Sequence, residues 1–290
     1  MRICVVGATG VLGRALVPRL LRRNESVRAL ARFTREKQDL FPPEVESVPF
    51  DLLSIDAVRR LPSLLQDCDA VVHAATQIPS DFSAPGAWDL NTRLRTEGTR
   101  CLVGAAVNAG IRVYIQQSII MAYPDMGDQW IDEEVPLDTT PARSRTSSPV
   151  IAMENTVRSI ATPSLRWCII RGGMFVGRGT FQEREISQMI ARELVLPGNG
   201  QNFLSAVHVI DMADAIALAL RDAPAASTFN ITAEPVREGE YFDSLAAAVD
   251  APRPARDPTK PNAPSWRCSN RKAKEHLGWV PRQSIYPTLK

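Results

Sequence analysis

The chain has 290 residues, 44% of them hydrophobic and 23% charged, with a formal net charge of +2. That length suffices for one large α/β unit with an appended lobe, and the near balance of charge implies no nucleic acid or other polyanion as a partner. No apolar run approaches membrane length, and Cys4, Cys68, Cys101, Cys168 and Cys268 stand singly, without the spacings of metal sites or disulfide frameworks, which fits reduced thiols in a cytoplasmic protein.

The first predicted element is an apolar strand at 2–6, which leaves no room for a cleaved signal before it. It runs into Gly7-Ala8-Thr9-Gly10-Val11-Leu12-Gly13, whose glycines are spaced G-x-x-G-x-x-G, and then into apolar residues at helical spacing. A turn too tight for side chains, followed by a helix with unsatisfied backbone N–H groups and a positive dipole end, suits a pyrophosphate. Gly7 makes the turn, Gly10 lets phosphates approach, and Gly13 lets the helix pack on the strand. Thr9, Val11 and Leu12 line the same loop. This is the pattern of a dinucleotide site; its alternative is a purely structural turn.

The second predicted strand, 26–30, decides which dinucleotide. A site for NAD ends this strand with an acid about 20 residues past the glycines. Here Ala31 and Arg32 follow, with Arg35 close behind. Guanidinium groups at that point pair with a 2′-phosphate, so NADP is expected over NAD; the alternative makes both arginines solvated positions opening a surface helix.

Further strands are predicted at 46–50, 70–73, 112–117 and 166–171, and helices near 12–23, 55–65, 88–109 and 150–160. This alternation belongs to an α/β fold, a Rossmann-type doubly wound parallel sheet. After Arg171 the glycines Gly172, Gly173, Gly177 and Gly179 crowd together and the rhythm changes. The organisation expected is a nucleotide-binding domain at 1–171, with 205–232 returning to it, and a smaller C-terminal substrate lobe made of 172–204 and 233–290. Proline-rich 251–264 reads as a surface connection.

Several segments share a further pattern. Val5 to Gly13 is followed by Asp51-Leu52, by Val71-Val72-His73-Ala74-Ala75, and by Trp88-Asp89-Leu90-Asn91-Thr92-Arg93 with Glu97-Gly98-Thr99-Arg100. Then come Ser118, Arg171-Gly172-Gly173-Met174-Phe175-Val176-Gly177, Val207-His208-Val209-Ile210-Asp211, and Ser269-Asn270-Arg271-Lys272-Ala273 with Leu277-Gly278-Trp279. In this order they resemble the extended short-chain dehydrogenase/reductase superfamily, the NAD(P)-dependent epimerase/dehydratase group, over nearly the whole chain. The resemblance implies that Asp51 and Leu52 contact the adenine ring. It implies that the backbone of Ala74, Ala75 and Thr76 passes the phosphates and ribose, and that Gly172 lies beside the nicotinamide. It casts Ser118 as the catalytic serine, and it makes a homodimer plausible through the helices near 88–109 and 150–160.

One departure governs the chemistry. The family works through Tyr-x-x-x-Lys, in which the tyrosine exchanges a proton with the substrate oxygen and the lysine lowers its pKa. Counting back from Glu154, these positions fall on Thr146 and Val150, and no lysine occurs from residue 38 to residue 259. Three readings remain. In the first the protein is an atypical oxidoreductase acting on a carbonyl or hydroxyl of a small organic molecule. Tyr123 then replaces the proton donor, assisted by a cation such as Arg143 or Arg145, and Ser118 orients the carbonyl. Otherwise Tyr123 caps the core with its hydroxyl in water. The second reading is a catalytically silent module that senses NADP. The third is a non-redox epimerase, dehydratase or isomerase, with a sugar nucleotide as one candidate substrate, drawing on Asp128, Asp132, Glu133 or Glu134. Arg184 and Arg192, eight apart on one predicted helix face, read as a solvated stripe rather than diphosphate ligands. His73 and His208 read as packed residues, His276 as surface, and no metal site is expected.

Overall fold

The computed structural model describes residues 1–33, 40–82, 84–160 and 162–288. Its central sheet has seven strands: β1 (Arg2–Val6), β2 (Ser26–Ala31), β3 (Glu46–Pro49), β4 (Ala70–His73), β5 (Val113–Ile119), β6 (Arg166–Gly172) and β7 (Ser227–Ile231). They lie in the order β7-β6-β5-β4-β1-β2-β3. Register is parallel across β3-β2-β1-β4-β5, with Val5 opposite both Ala29 and Val72. Strands covered on both faces by helices read as continuous apolar runs, and β1 from Ile3 and the whole of β4 are buried.

The order of connection reverses at β1. The chain steps outward to β2 and β3 and then returns to β4 on the other side of β1. Such a reversal opens a crevice at the carboxyl ends of the two central strands, where doubly wound sheets bind ligands.

The chain divides into two compact units. The first comprises Met1–Ser118, Thr139–Ile170 and Ile216–Thr228; the second comprises Ile119–Asp138, Arg171–Ala215 and Phe229–Lys290. The expected division placed 119–138 with the nucleotide domain. Its apolar residues explain the difference: Ile120, Tyr123 and Ile131 pack with Cys268 in a small core of the second unit. Of the expected returning stretch 205–232, only Ile216–Thr228 clusters with the first unit.

In the first unit the helices Ala57–Leu65 and Thr99–Asn108 lay Leu61, Leu65, Leu102, Val103 and Ala106 against Cys4, Val6 and Val71 of the sheet. In the second, the helices Phe181–Ile190 and Glu238–Ala248 close over Leu196, Leu204 and Ala206 with Met189, Tyr241, Phe242 and Leu245. Two expectations are corrected here. Within the proline-rich stretch, Ala255–Asp257 forms a short strand parallel to Val195–Pro197, a length short enough to fit between Pro254 and Pro258. Arg192 lies past the end of its helix with φ +60°, so it shares no helix face with Arg184.

Candidate functional site

At the end of β1 the chain turns at Gly7 with φ +89°, and Gly7 donates its N–H to Leu30 O of β2 at 2.9 Å. A Cβ on Gly7 would stand 2.5 Å from Ala75 N and 2.6 Å from its Cα, so the backbone after β4 closes on the turn. Gly10 follows in extended conformation, and the helix Val11–Arg22 starts on it with neither a side-chain cap nor an acid in its first turn. Gly13 faces Ala8, whose carbonyl carbon a Cβ would meet at 2.5 Å. The result is a helix N-terminus whose donors no side chain covers, held against the ends of β1 and β4. Such a cradle suits an anionic diphosphate.

Gly7, Arg32 and Ala74 to Thr76 are brought together at the carboxyl ends of β1, β2 and β4. Arg32 is exposed and donates to Gln77 Oε1 at 3.3 Å; Arg35 lies outside the described residues. Asp51, exposed just past β3, accepts from Leu53 N at 3.0 Å, while Leu52 is buried under Gly98, where a Cβ would come within 2.9 Å of Leu52 Cδ2. Gly172 belongs to the second unit, packed against Phe175 and Met212.

The expected catalytic hydroxyls are both committed to protein partners. Ser118 is fully buried and donates to Glu154 Oε1 at 2.7 Å; Glu154 Oε2 accepts from Arg158 at 3.0 Å. Side chains alternate along a strand, and Ser118 falls on the side facing the helix Ser144–Ile160. Its hydroxyl is thus turned inward, away from the carbonyl-orienting task the sequence suggested. Tyr123, in the second unit, is also fully buried: its hydroxyl donates to Asn230 Oδ1 at 2.9 Å and accepts from Arg171 Nη1 at 2.5 Å. The cation beside it is therefore Arg171, not Arg143 or Arg145, and the hydroxyl is not in water. Burial raises the Tyr123 pKa despite that cation. Asn230 N in turn donates to Glu133 Oε1 at 2.6 Å, and burial raises the Glu133 carboxyl. Of the other acids considered, Asp128 pairs with Arg237 at 2.7 Å, and Asp132 Oδ1 accepts from Glu134 N at 3.1 Å.

Arg95 of the first unit escaped the sequence reading, and Asn91 and the packed His73 have partners the sequence did not name. The helix Asp89–Arg93 widens into a π-helical turn at Leu94–Gly98 before continuing as Thr99–Asn108, a local irregularity frequent at functional sites. On its buried side, Asn91 Nδ2 donates to Thr76 Oγ1 at 2.9 Å and to Gln77 O at 2.8 Å, and its Oδ1 accepts from Arg95 Nε at 2.8 Å. Arg95 Nη1 is enclosed and has no hydrogen-bond partner. Burial lowers the Arg95 pKa to about 10, so the guanidinium stays charged at neutral pH. His73 ends β4, buried, with Nδ1 3.0 Å from Gln116 Oε1. Gln116 Nε2 donates to Gln117 O, which fixes the amide so that His73 Nδ1 carries the proton. Nε2 is then a bare acceptor, without a partner, and burial lowers the imidazole pKa to about 4. The sequence signal was available: Asn91, Arg95 and Thr99 repeat every four residues toward Leu102, which puts polar groups in a stripe that ought to be apolar.

Among the described residues no group of His, Cys, Asp and Glu is placed to hold a metal, and no helix is long and apolar enough to cross a membrane. All five cysteines are free thiols.

Comparison with known proteins agrees with this geometry. The model of the NAD dependent epimerase/dehydratase family matches residues 3–232. A 3-diazoavenalumate denitrifying reductase from a Streptomyces species is 32% identical over 97% of this chain and 96% of its own length. A dTDP-6-deoxy-L-talose 4-dehydrogenase (NAD(P)(+)) from Kitasatospora kifunensis is 26% identical over 98% of this chain and 92% of its own. Among solved structures, human epimerase family protein SDR39U1 with NADPH superposes with a TM-score of 0.79 at 20% identity, covering 97% of this chain and 95% of that one.

Proposed function

Because the chain belongs to the NAD dependent epimerase/dehydratase family, we propose that it is an NADP(H)-dependent oxidoreductase acting on a small organic molecule. The observation that carries the reading is the glycine cradle at the end of β1, with Arg32 in place of an acid after β2. Gly7 and Gly10 admit the pyrophosphate, the uncapped start of the helix Val11–Arg22 donates to it, and the exposed Arg32 guanidinium pairs with the 2′-phosphate. When bound, the reduced cofactor supplies a hydride.

The choice of hydride acceptor follows from what the chain withholds. A carbonyl becomes an alkoxide as hydride arrives and needs a proton in the same step. Thr146 and Val150 stand where a tyrosine and a lysine would serve it, and the Ser118 and Tyr123 hydroxyls donate to Glu154 and Asn230. An acceptor that already carries positive charge has no such need. An arenediazonium ion takes the two electrons and hydrogen of a hydride and leaves as arene and dinitrogen, with no proton from the protein. The Streptomyces relative is named a 3-diazoavenalumate denitrifying reductase, which favours this acceptor class. Carbonyl reduction is the second reading and requires Tyr123 to release Asn230. A non-redox reaction has less support, since Asp128 and Glu133 are both held by protein partners.

The test is oxidation of NADPH by a simple arenediazonium salt and by a matched aldehyde, each measured against the rate without protein. Protein-dependent oxidation with dinitrogen release is expected from the diazonium salt alone. Turnover of the aldehyde would reverse the choice of acceptor, and turnover of neither by a chain that binds NADPH would count against the oxidoreductase reading.

A further inference from the structure

Arg95 is 6% exposed and lies on the buried side of its helix, where an aliphatic residue would pack without an unpaired donor. Enclosing a guanidinium arm with nothing to donate to is unfavourable, so such a group points to a partner that arrives from outside. Its surroundings say which partner. Asn91 fixes Nε at 2.8 Å and is itself tied to Thr76 and Gln77, in the segment after β4 that abuts Gly7. On another side the negative charge of Glu154 acts on Arg95, and Glu154 is one turn beyond Val150 on its helix. The free Nη1 thus belongs to a guanidinium held between the diphosphate cradle and the helix that lacks its lysine, in a stretch with no lysine from residue 38 to residue 259.

We propose that Arg95 is a cofactor-binding residue whose Nη1 donates to an oxygen of the nicotinamide-riboside half, supplying there the fixed positive charge that no lysine of this chain provides. The inference rests on the cofactor reading above. Its competitor is a buried water bridging Arg95 Nη1 and His73 Nε2, since one is an unused donor, the other an unused acceptor, and the Arg95 charge acts on His73. A bridging water would satisfy both groups and make Arg95 structural.

The two are separated by comparing NADPH with adenosine 2′,5′-bisphosphate, which keeps the adenosine and 2′-phosphate but ends before the nicotinamide riboside. Dissociation constants for both are measured by fluorescence and calorimetry in the wild type, Arg95→Met and Arg95→Lys. Arg95→Met is expected to weaken NADPH at least about tenfold and leave the bisphosphate unchanged, with Arg95→Lys recovering part of the loss. Thermal unfolding of the ligand-free Arg95→Met chain is measured beside the affinities, because the substitution also takes the donor from Asn91 Oδ1. In the wild-type chain the Arg95 Nε–H resonance, assigned by its loss in Arg95→Lys, should move on adding NADPH and not on adding the bisphosphate. That readout serves even where Arg95→Met does not fold. Unchanged NADPH affinity, equal weakening of both ligands, or a resonance indifferent to NADPH would overturn the proposal and leave the bridging water. A wild type that binds the bisphosphate or NADPH has already passed the cofactor reading; one that binds neither overturns both.

Discussion

At Gly7 a methyl group has nowhere to go: φ is +89° and the backbone of Ala75 stands 2.5 Å from where a Cβ would be. Positions of that kind are legible in a sequence because only one residue type satisfies them, which is why the glycine loop was readable from spacing alone. Ser118 is the contrary case. Its place at the end of β5 was readable, but whether a hydroxyl faces a ligand or a neighbouring helix depends on which side of the strand it falls, and an error of one residue reverses the answer. The structure gives that hydroxyl to Glu154, fully buried. Ser118→Ala would remove the hydroxyl that donates to the buried Glu154 Oε1, and a hydrogen bond to a charged group contributes about 1.5–3 kcal/mol. Chemical denaturation should show a loss of that size, whereas a hydroxyl facing solvent would give almost none. Arg95 was missed for a different reason: a single charged residue in a long helix does not by itself show that its guanidinium is enclosed with an arm unpaired.

Among the elements, β1 and β4 were placed at their observed ends because strands buried on both faces are unbroken apolar runs between polar turns. β7 was overlooked; Ser227–Ile231 carries Ser, Thr and Asn within its five residues, and its place at the edge of the sheet tolerates them. The helix Ser144–Ile160 begins six residues before the predicted start at 150. Its first turns read Ser-Arg-Thr-Ser-Ser-Pro, residues that favour loops when taken alone, and the burial of Ser147 and Val150 on one side of the helix overrides that preference. Pro149 within this helix lacks the N–H that would reach back one turn. Pro149→Ala restores it and should raise stability by about 1–3 kcal/mol. A decrease in the unfolding midpoint would mean that Pro149 packs in a way alanine cannot replace.

Over the whole chain, stability should depend on pH through a buried acid of the second unit. Burial first, and the neighbouring Glu238 second, raise the Glu185 pKa to about 7 from an ordinary 4.5. The folded chain therefore prefers Glu185 protonated. The stability this confers is fully present below about pH 4.5 and is lost as pH rises through about 7. Shifts of this size correspond to ~3 kcal/mol at most, so the unfolding midpoint of the wild type should fall across that window while Glu185→Gln stays nearly flat. Parallel slopes in the two proteins would mean that Glu185 ionises in its ordinary range.

The proposed dinucleotide site requires that the ends of β1, β2 and β4 hold a phosphorylated cofactor. Its most direct test is equilibrium titration of the purified chain with NADPH and with NADH, following nicotinamide fluorescence, in the wild type and in Arg32→Ala. The expected result is tighter binding of NADPH by at least about tenfold, a preference that collapses in Arg32→Ala while NADH affinity holds. Equal affinity for the two cofactors in the wild type would contradict the assignment of Arg32, and binding of neither would contradict the site itself.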